Sequence, residues 1–341
     1  RNSLLVISIA SEETKAFQCK AIALIQLSKF DEALKFIEKC PVSQELIFEK
    51  AYCEYRLNKP ELSLKTIENA KLNPLPANVK ELKAQILYRL EQFDDCFNLY
   101  RDILKNSSDD YEEERTTNLS AVAANLAIEG SDKKMPDFND NTYELVYNSA
   151  VALSGTGKFS EAEKKLKNSE KMCREFLEED DASAEDIENE LAIIRVQLAY
   201  CLQKQGRNKE ASIIYAEILK NKPSDAALIA VASNNSVVIN KDQNVFDSKK
   251  KIRNALVDAV EHKLNNRQKK SIAYNNCILA LYTNQGDLQQ LAHKLVLKYP
   301  DLAFKAGLIQ AGQYIKDKKY KEASEALEKL VTKHPNLSLE V

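Results

Sequence analysis

A pair of small residues twelve positions apart recurs along this chain, and few folds can satisfy it. The clearest copy lies in residues 195–223, RVQLAYCLQKQGRNKEASIIYAEILKNKP. Leu198, Ala199 and Leu202 fall three and four apart and share one helical face. After a turn at 205–208, Ala211, Ile214, Tyr215, Ile218 and Leu219 do the same. Pro223 closes the pair, because it has no N–H with which to continue a helix. With Ala211 as the ruler, the small position of the second helix recurs as Ala33, Ser63, Cys96, Ala162 and Ala323, with Leu291 as a looser match. The small position of the first helix gives Ala21, Ala51, Ala84, Ala150, Ala199 and Ala311. Helices whose axes approach to about 8–10 Å leave little room for a larger side chain where they cross. A turn aromatic keeps the same rhythm as Phe30, Phe93, Phe159 and Tyr320.

A helical hairpin of about 34 residues, with small residues at the crossing and a proline at its end, is the tetratricopeptide (TPR) unit. One unit cannot bury its own apolar face and needs a copy beside it. The spacing therefore predicts an all-α fold: an α-solenoid of stacked TPR hairpins forming a single superhelix over 1–341. Hairpins are expected at about 14–43, 44–74, 77–107, 110–131, 143–177, 190–223, 225–265 (irregular), 268–300 and 303–336. With 7 Gly and 8 Pro in 341 residues, little chain is left for long loops. Three segments break the rhythm. Residues 131–141, SDKKMPDFNDN, read as a loop. Residues 175–190 hold nine acidic side chains and no basic one, which reads as a lengthened helix and then a solvated connector. Residues 241–270 hold nine Lys or Arg against four Asp or Glu.

Several kinds of chemistry are missing. The formal net charge of −2 gives no chain-wide attraction to nucleic acid or anionic membrane. No apolar run reaches the roughly 18 residues of a membrane helix, and the short one in 1–10 lacks a cleavage motif. The chain opens on Arg, so a cut from something longer is expected. Seven Cys without a CxxC read as reduced thiols of a cytoplasmic protein. Residues 155–158, Gly-Thr-Gly-Lys, look like a phosphate loop, but Ala152 and Phe159 stand where a Gly and a Ser or Thr are needed. His262, His293 and His334 are scattered, so no metal site is expected. No cofactor, catalytic residue or enzymatic activity is expected.

Stacked hairpins present their first helices on an inner wall. In the second unit the wall positions are Phe48, Tyr52, Tyr55 and Arg56, and in the third Glu81, Gln85, Tyr88 and Arg89. Later units supply Tyr147 and Val151, then Val196, Tyr200, Gln203 and Lys204. Tyr and Arg offer large contact area with a polar tip, as buried protein interfaces favour. Two readings stand for these rings: a groove for a segment of another protein, or packing against neighbouring helices. The basic segment with Lys249, Lys250, Lys251 and Arg253 also reads two ways, as a solvated face or as an RNA contact with Phe246 as its aromatic.

Beyond the TPR pattern, four strings carry a closer likeness: FEKAYCEYRLN at 48–58, DDYEEERTTNLSAV at 109–122, INKDQNVFDSKKK at 239–251 and YTNQ at 282–285. They resemble the TPR region of the seventy-two-kilodalton subunit family of the eukaryotic signal recognition particle. The resemblance implies a non-catalytic assembly subunit needed for co-translational targeting to the endoplasmic reticulum. It implies a groove that docks the C-terminal region of the particle's sixty-eight-kilodalton subunit. Contact with the particle's RNA is implied mainly for a basic, Pro-containing region downstream of the repeats, which this chain ends without. The alternative is a TPR scaffold in another complex, or direct RNA contact through 241–270.

Overall fold

The computed structural model describes residues 14–106, 109–133, 136–283 and 286–335. The apolar run in 1–10, together with Asn284 and Gln285 of YTNQ, lies outside the described residues. Among the described residues there are eighteen α-helices and no strand. The chain divides into two units, Arg1–Thr156 and Gly157–Val341. Unit one holds α1 (Thr14–Gln26), α2 (Phe30–Lys39), α3 (Ile47–Arg56), α4 (Pro60–Asn69), α5 (Ala77–Arg89), α6 (Phe93–Asn106), α7 (Glu112–Ile128) and α8 (Tyr143–Gly155). Unit two holds α9 (Phe159–Glu179), α10 (Ala184–Lys204), α11 (Asn208–Asn221), α12 (Ala226–Asn240) and α13 (Val245–Ala255). It continues with α14 (Asp258–Glu261), α15 (Asn266–Tyr282), α16 (Leu288–Lys298), α17 (Ala303–Lys316) and α18 (Tyr320–Lys333).

One local geometry builds most of the turns. Two residues before α2, α4, α6, α9, α11 and α18 the backbone is left-handed, at Ser28, Asn58, Glu91, Gly157, Gly206 and Lys318. Acidic residues follow in the first turn of each of these helices, where the helix dipole favours them: Asp31, Glu61, Asp94, Glu161, Glu210 and Glu322. Pro60 opens α4 at a position where its missing N–H costs nothing. Three residues into each of the six helices comes the small residue. Ala33, Ser63, Cys96, Ala162 and Ala211 are fully buried, and so are Ala21, Ala51, Ala84 and Ala199 of the first helices. Where the small residue is polar, it finds a partner across the crossing. The Ser63 hydroxyl donates to the Ala51 carbonyl at 2.6 Å, and the Cys96 thiol donates to the Ala84 carbonyl at 3.2 Å. A buried polar atom left unpaired there would cost about 1–3 kcal/mol. In unit one the first helices α1, α3 and α5 pack side by side; in unit two α10, α12, α15 and α17 do so.

The structure departs from the sequence reading at four places. The segment 110–131 is one helix, α7, with no second helix after it; nothing between 112 and 128 interrupts it, and it ends at Gly130 with φ of +77°. α7 packs on α6 and α8, and a Cβ on Gly155 would lie 2.1 Å from Ile128 Cγ1, so Gly155 lets α8 close on α7. In α15–α16 the small positions are Ala280 and Ala292, 1% and 0% exposed, while Leu291 is half-buried beside them. In the segment read as irregular, Ser236 and Ser248 take the two small positions twelve apart, both buried, with positive φ at Lys241 and Asn244 in the turn. The acidic stretch 175–190 is almost entirely helical, with only 180–183 between α9 and α10. Arg174 pairs with Glu178 and Glu188, Arg195 with Glu170 and Glu188, and Lys171 with Glu175, so part of the stretch is neutralised from within unit two.

Glu163 of α9 ties that helix to the turn between α10 and α11. Its carboxylate accepts from Arg207 Nη1 at 2.8 Å, Gln205 Nε2 at 2.9 Å and Lys167 Nζ at 2.7 Å. Burial pushes this carboxyl up, but the three donors together outweigh burial and bring it to about 2.

Two outcomes follow from this packing. Ala51→Leu and Ala199→Leu each overfill a crossing and should cost about 1–3 kcal/mol, read as a lower thermal midpoint; two neutral substitutions would show the register to be wrong. Glu163 has a depressed folded-state pKa, so its stabilisation is complete above its ordinary value near 4.5 and fades as pH falls towards about 2. The stability gap between the wild type and Glu163→Gln, followed by chemical denaturation, should therefore be widest at neutral pH and shrink below about pH 4.5.

Candidate functional site

The wall positions of unit one are brought together by stacking. Phe48 and Tyr52 of α3 lie ring on ring, with centroids 6.1 Å apart, and Phe30 at the start of α2 meets Tyr52 edge-on at 6.3 Å. The Arg56 guanidinium sits 4.5 Å from the Phe30 centroid and donates to the Tyr52 hydroxyl at 2.7 Å. One hairpin on, Arg89 of α5 lies over Tyr55 at 5.4 Å and donates to Asn58 Oδ1. Tyr88 packs edge-on against Phe93 at 5.7 Å and accepts from Asn125 Nδ2 of α7 at 3.3 Å. Burial raises the Tyr88 hydroxyl above its ordinary pKa, while the Asn125 bond opposes that shift. Phe48, Tyr52 and Tyr55 are half-buried against the core of α3–α5, and Tyr88 remains 39% exposed. Each ring is thus packed on one side and open on another.

Glu81 is used differently. Its carboxylate accepts from Arg115 Nε and Nη2, and Arg115 also donates to Asp109. Arg115 is buried, and it holds the Asp109 carboxyl below the usual carboxylate range through these hydrogen bonds. Beside this trio lies a cavity of about 140 Å³ lined by Gln85, Tyr100, Tyr111 and Asn118. Arg115, Phe30, Asn58 and Asn125 were not singled out as wall residues. A buried Arg gives no periodicity signal when its counter-charge, Glu81, lies 34 residues away.

The remaining candidates lie apart from this cluster. Tyr147 is half-buried on α8. Tyr200 of α10, in unit two, meets Phe159 edge-on at 6.3 Å with Lys204 5.6 Å above its ring. Val196 is buried and offers no wall surface. On α13, Phe246, Lys249, Lys250 and Arg253 fall at helical spacing on one face. Phe246 is 86% exposed. Lys251 turns away to pair with Asp247 at 2.8 Å, which removes it from that face. No helix among the described residues is long and apolar enough to cross a membrane.

Comparison with known proteins places these features in a family. The SRP TPR-like repeat model matches residues 6–125. The signal recognition particle subunit SRP72 of the dog is 45% identical over 98% of this chain and 50% of its own length. The human SRP72 is 44% identical over the same shares, and that of Schistosoma mansoni is 41% identical over 91% of this chain and 44% of its own length. This chain spans about half the length of the curated relatives it matches. Among solved structures, a Rap protein complexed with competence and sporulation factor superposes with a TM-score of 0.54 at 16% identity, covering 97% of this chain and all of that one. At that identity the likeness concerns the fold alone. The closest correspondence is in sequence, and by it the chain belongs to the SRP72 family as its TPR region.

Proposed function

We propose that this chain is a non-catalytic assembly module of the signal recognition particle. On this reading the stacked aromatic and arginine row of unit one docks the C-terminal region of the particle's sixty-eight-kilodalton subunit. Membership of the particle is supported by the relatives, which are named as its subunits. The observation that carries the docking reading is the row Tyr52, Tyr55, Tyr88, interleaved with Arg56 and Arg89. Tyr and Arg in a desolvated centre are the residues that most often dominate binding energy. Here each is already held by a ring or guanidinium contact, so little side-chain freedom is left to lose on binding. The cavity beside Arg115 and Glu81 offers an adjoining seat for a partner side chain. A role in co-translational targeting to the endoplasmic reticulum would follow from that assembly.

A second reading is favoured by one observation: Phe246 is largely exposed on the same face as Lys249, Lys250 and Arg253. Cations that track a phosphate backbone beside a ring on which a base can stack suit single-stranded RNA.

The double variant Tyr55→Ala, Tyr88→Ala should weaken binding of the sixty-eight-kilodalton subunit's C-terminal segment by at least about tenfold in calorimetry, with an unchanged circular dichroism spectrum. Unaltered affinity would remove the site assignment. For the α13 face, anisotropy of labelled single-stranded RNA at about 50 and about 200 mM salt should show affinity falling with salt. Lys250→Glu with Arg253→Glu should flatten that dependence, and no binding at either salt concentration disposes of the RNA reading.

A further inference from the structure

The side-by-side first helices of unit two enclose a slot that the readings above leave unused. It lies between α12 and α15, has a volume of about 260 Å³, and is walled by Val237, Val238, Tyr274, Ile278, Leu279 and Tyr282. Val238 and Tyr282 are 40% and 45% exposed, so the apolar wall is open rather than filled by a neighbouring helix. Two polar residues complete the lining, Asn275 and Lys241.

The Asn275 carboxamide heads a line of side-chain hydrogen bonds. Its Nδ2 donates to Asn234 Oδ1 at 2.9 Å, and Asn234 Nδ2 donates to Asn235 Oδ1 at 3.1 Å. Asn235 Nδ2 donates to the Tyr215 hydroxyl at 3.0 Å, which donates to Gln203 Oε1 at 3.2 Å. Every donor in this line points away from Asn275. Turning the Asn275 amide over alone would set its oxygen against the Asn234 oxygen, so the line changes sense only as a whole. In the sense found here Asn275 Oδ1 is an acceptor without a partner among the described residues, and hydrogen bonds in series polarise such a group. It suits an amide N–H, which an extended main chain supplies and an amphipathic lipid anion does not.

Charge completes the description. Lys241 is exposed and forms no ion pair among the described residues. Lys305 Nζ lies 5.8 Å from the Tyr274 centroid, and Lys316 Nζ donates to the carbonyls of Leu281 at 2.6 Å and Tyr282 at 3.2 Å. Lys241 thus lines the slot itself, two further ammonium groups touch α15 residues beside it, and no carboxylate lines it.

We propose that this slot is a second docking site, for an extended segment of a partner protein in which a bulky apolar residue stands beside Asp or Glu. The apolar side chain fills the space between α12 and α15, its main-chain N–H donates to Asn275 Oδ1, and the neighbouring carboxylate meets Lys241. The site stands independently of the docking row in unit one.

The test is a selection of random displayed peptides of about twelve residues on the intact chain, followed by anisotropy with the synthesised winners. Enriched peptides should share an apolar residue beside an acidic one. Val238→Glu, an exposed substitution whose folding is checked by circular dichroism, should weaken them by at least about tenfold. Lys241→Glu should do the same and turn the preference towards Lys-flanked peptides. N-methylation at the apolar residue should also weaken binding, whereas Tyr55→Ala with Tyr88→Ala should leave it unchanged. A selection yielding no peptide whose binding depends on Val238, or winners indifferent to the Lys241 reversal, overturns the proposal.

Discussion

The close approach of two helix backbones at a pair of small side chains is the constraint on which the hairpins rest. At Ala51 and Ser63, or Ala84 and Cys96, nothing separates the helices except methyl, hydroxymethyl or thiol groups with no exposed surface. That closeness fixes the tilt of one helix on the next. It also explains why the substitutes for Ala are Ser and Cys rather than Val or Thr. A single heavy atom beyond Cβ can reach the facing carbonyl, as Ser63 and Cys96 do, whereas a branched Cβ would push the backbones apart. Burial raises the Cys96 thiol to about 12, so this sulfur packs as a small neutral group and not as a nucleophile.

Once the crossing is fixed, the faces of the first helix have little freedom. The strip around the small residue packs inward, and the residues flanking it emerge on the wall. On that wall an unsupported Tyr would lose rotamer freedom when it met a ligand. The chain answers by giving the rings fixed neighbours: Phe30 and Arg56 for Tyr52, Arg89 for Tyr55, Phe93 and Asn125 for Tyr88. The same turn aromatic that closes a hairpin therefore also braces the wall. Packing against a neighbour still leaves each ring a second face open on the wall.

What could be read in the residues alone was whatever the crossing demands of one residue type. Ala at 21, 51, 84, 150, 199 and 311 marked the first helices because backbone proximity admits little else. The turns were harder, since Gly206 and Gly157 announce a left-handed residue but Ser28, Asn58, Glu91 and Lys318 adopt the same conformation without saying so. Ser236 and Ser248 occupy the small positions of a hairpin that the spacing rule read as irregular. Leu291 misled by one residue, because composition near the turn does not fix where the helix starts; the buried Ala292 does. Long-range pairs were illegible in principle. Arg115 with Glu81, Arg195 with Glu170, and the amide line from Asn275 to Gln203 join residues that only the packed helices bring together.

The surfaces described differ in how far they are organised before anything binds, and that difference orders them. On α13 the Phe246 ring has almost no contact with the rest of the chain. Any partner there must order the ring and the lysine stems at about 0.5–1.5 kcal/mol for each immobilised side chain. Such a face suits diffuse, salt-sensitive attraction. In unit one the rings and guanidinium groups already restrain one another, and in the slot of unit two the Asn275 amide is held at the end of four hydrogen bonds in series. There the ordering cost was met when the helices packed, so a ligand's contacts count more fully towards affinity. Preorganisation of this kind is tied to the small-residue crossings, because a wall residue is held only as firmly as the helix beneath it. A substitution that loosens a buried crossing should therefore weaken ligand binding at a wall it never touches.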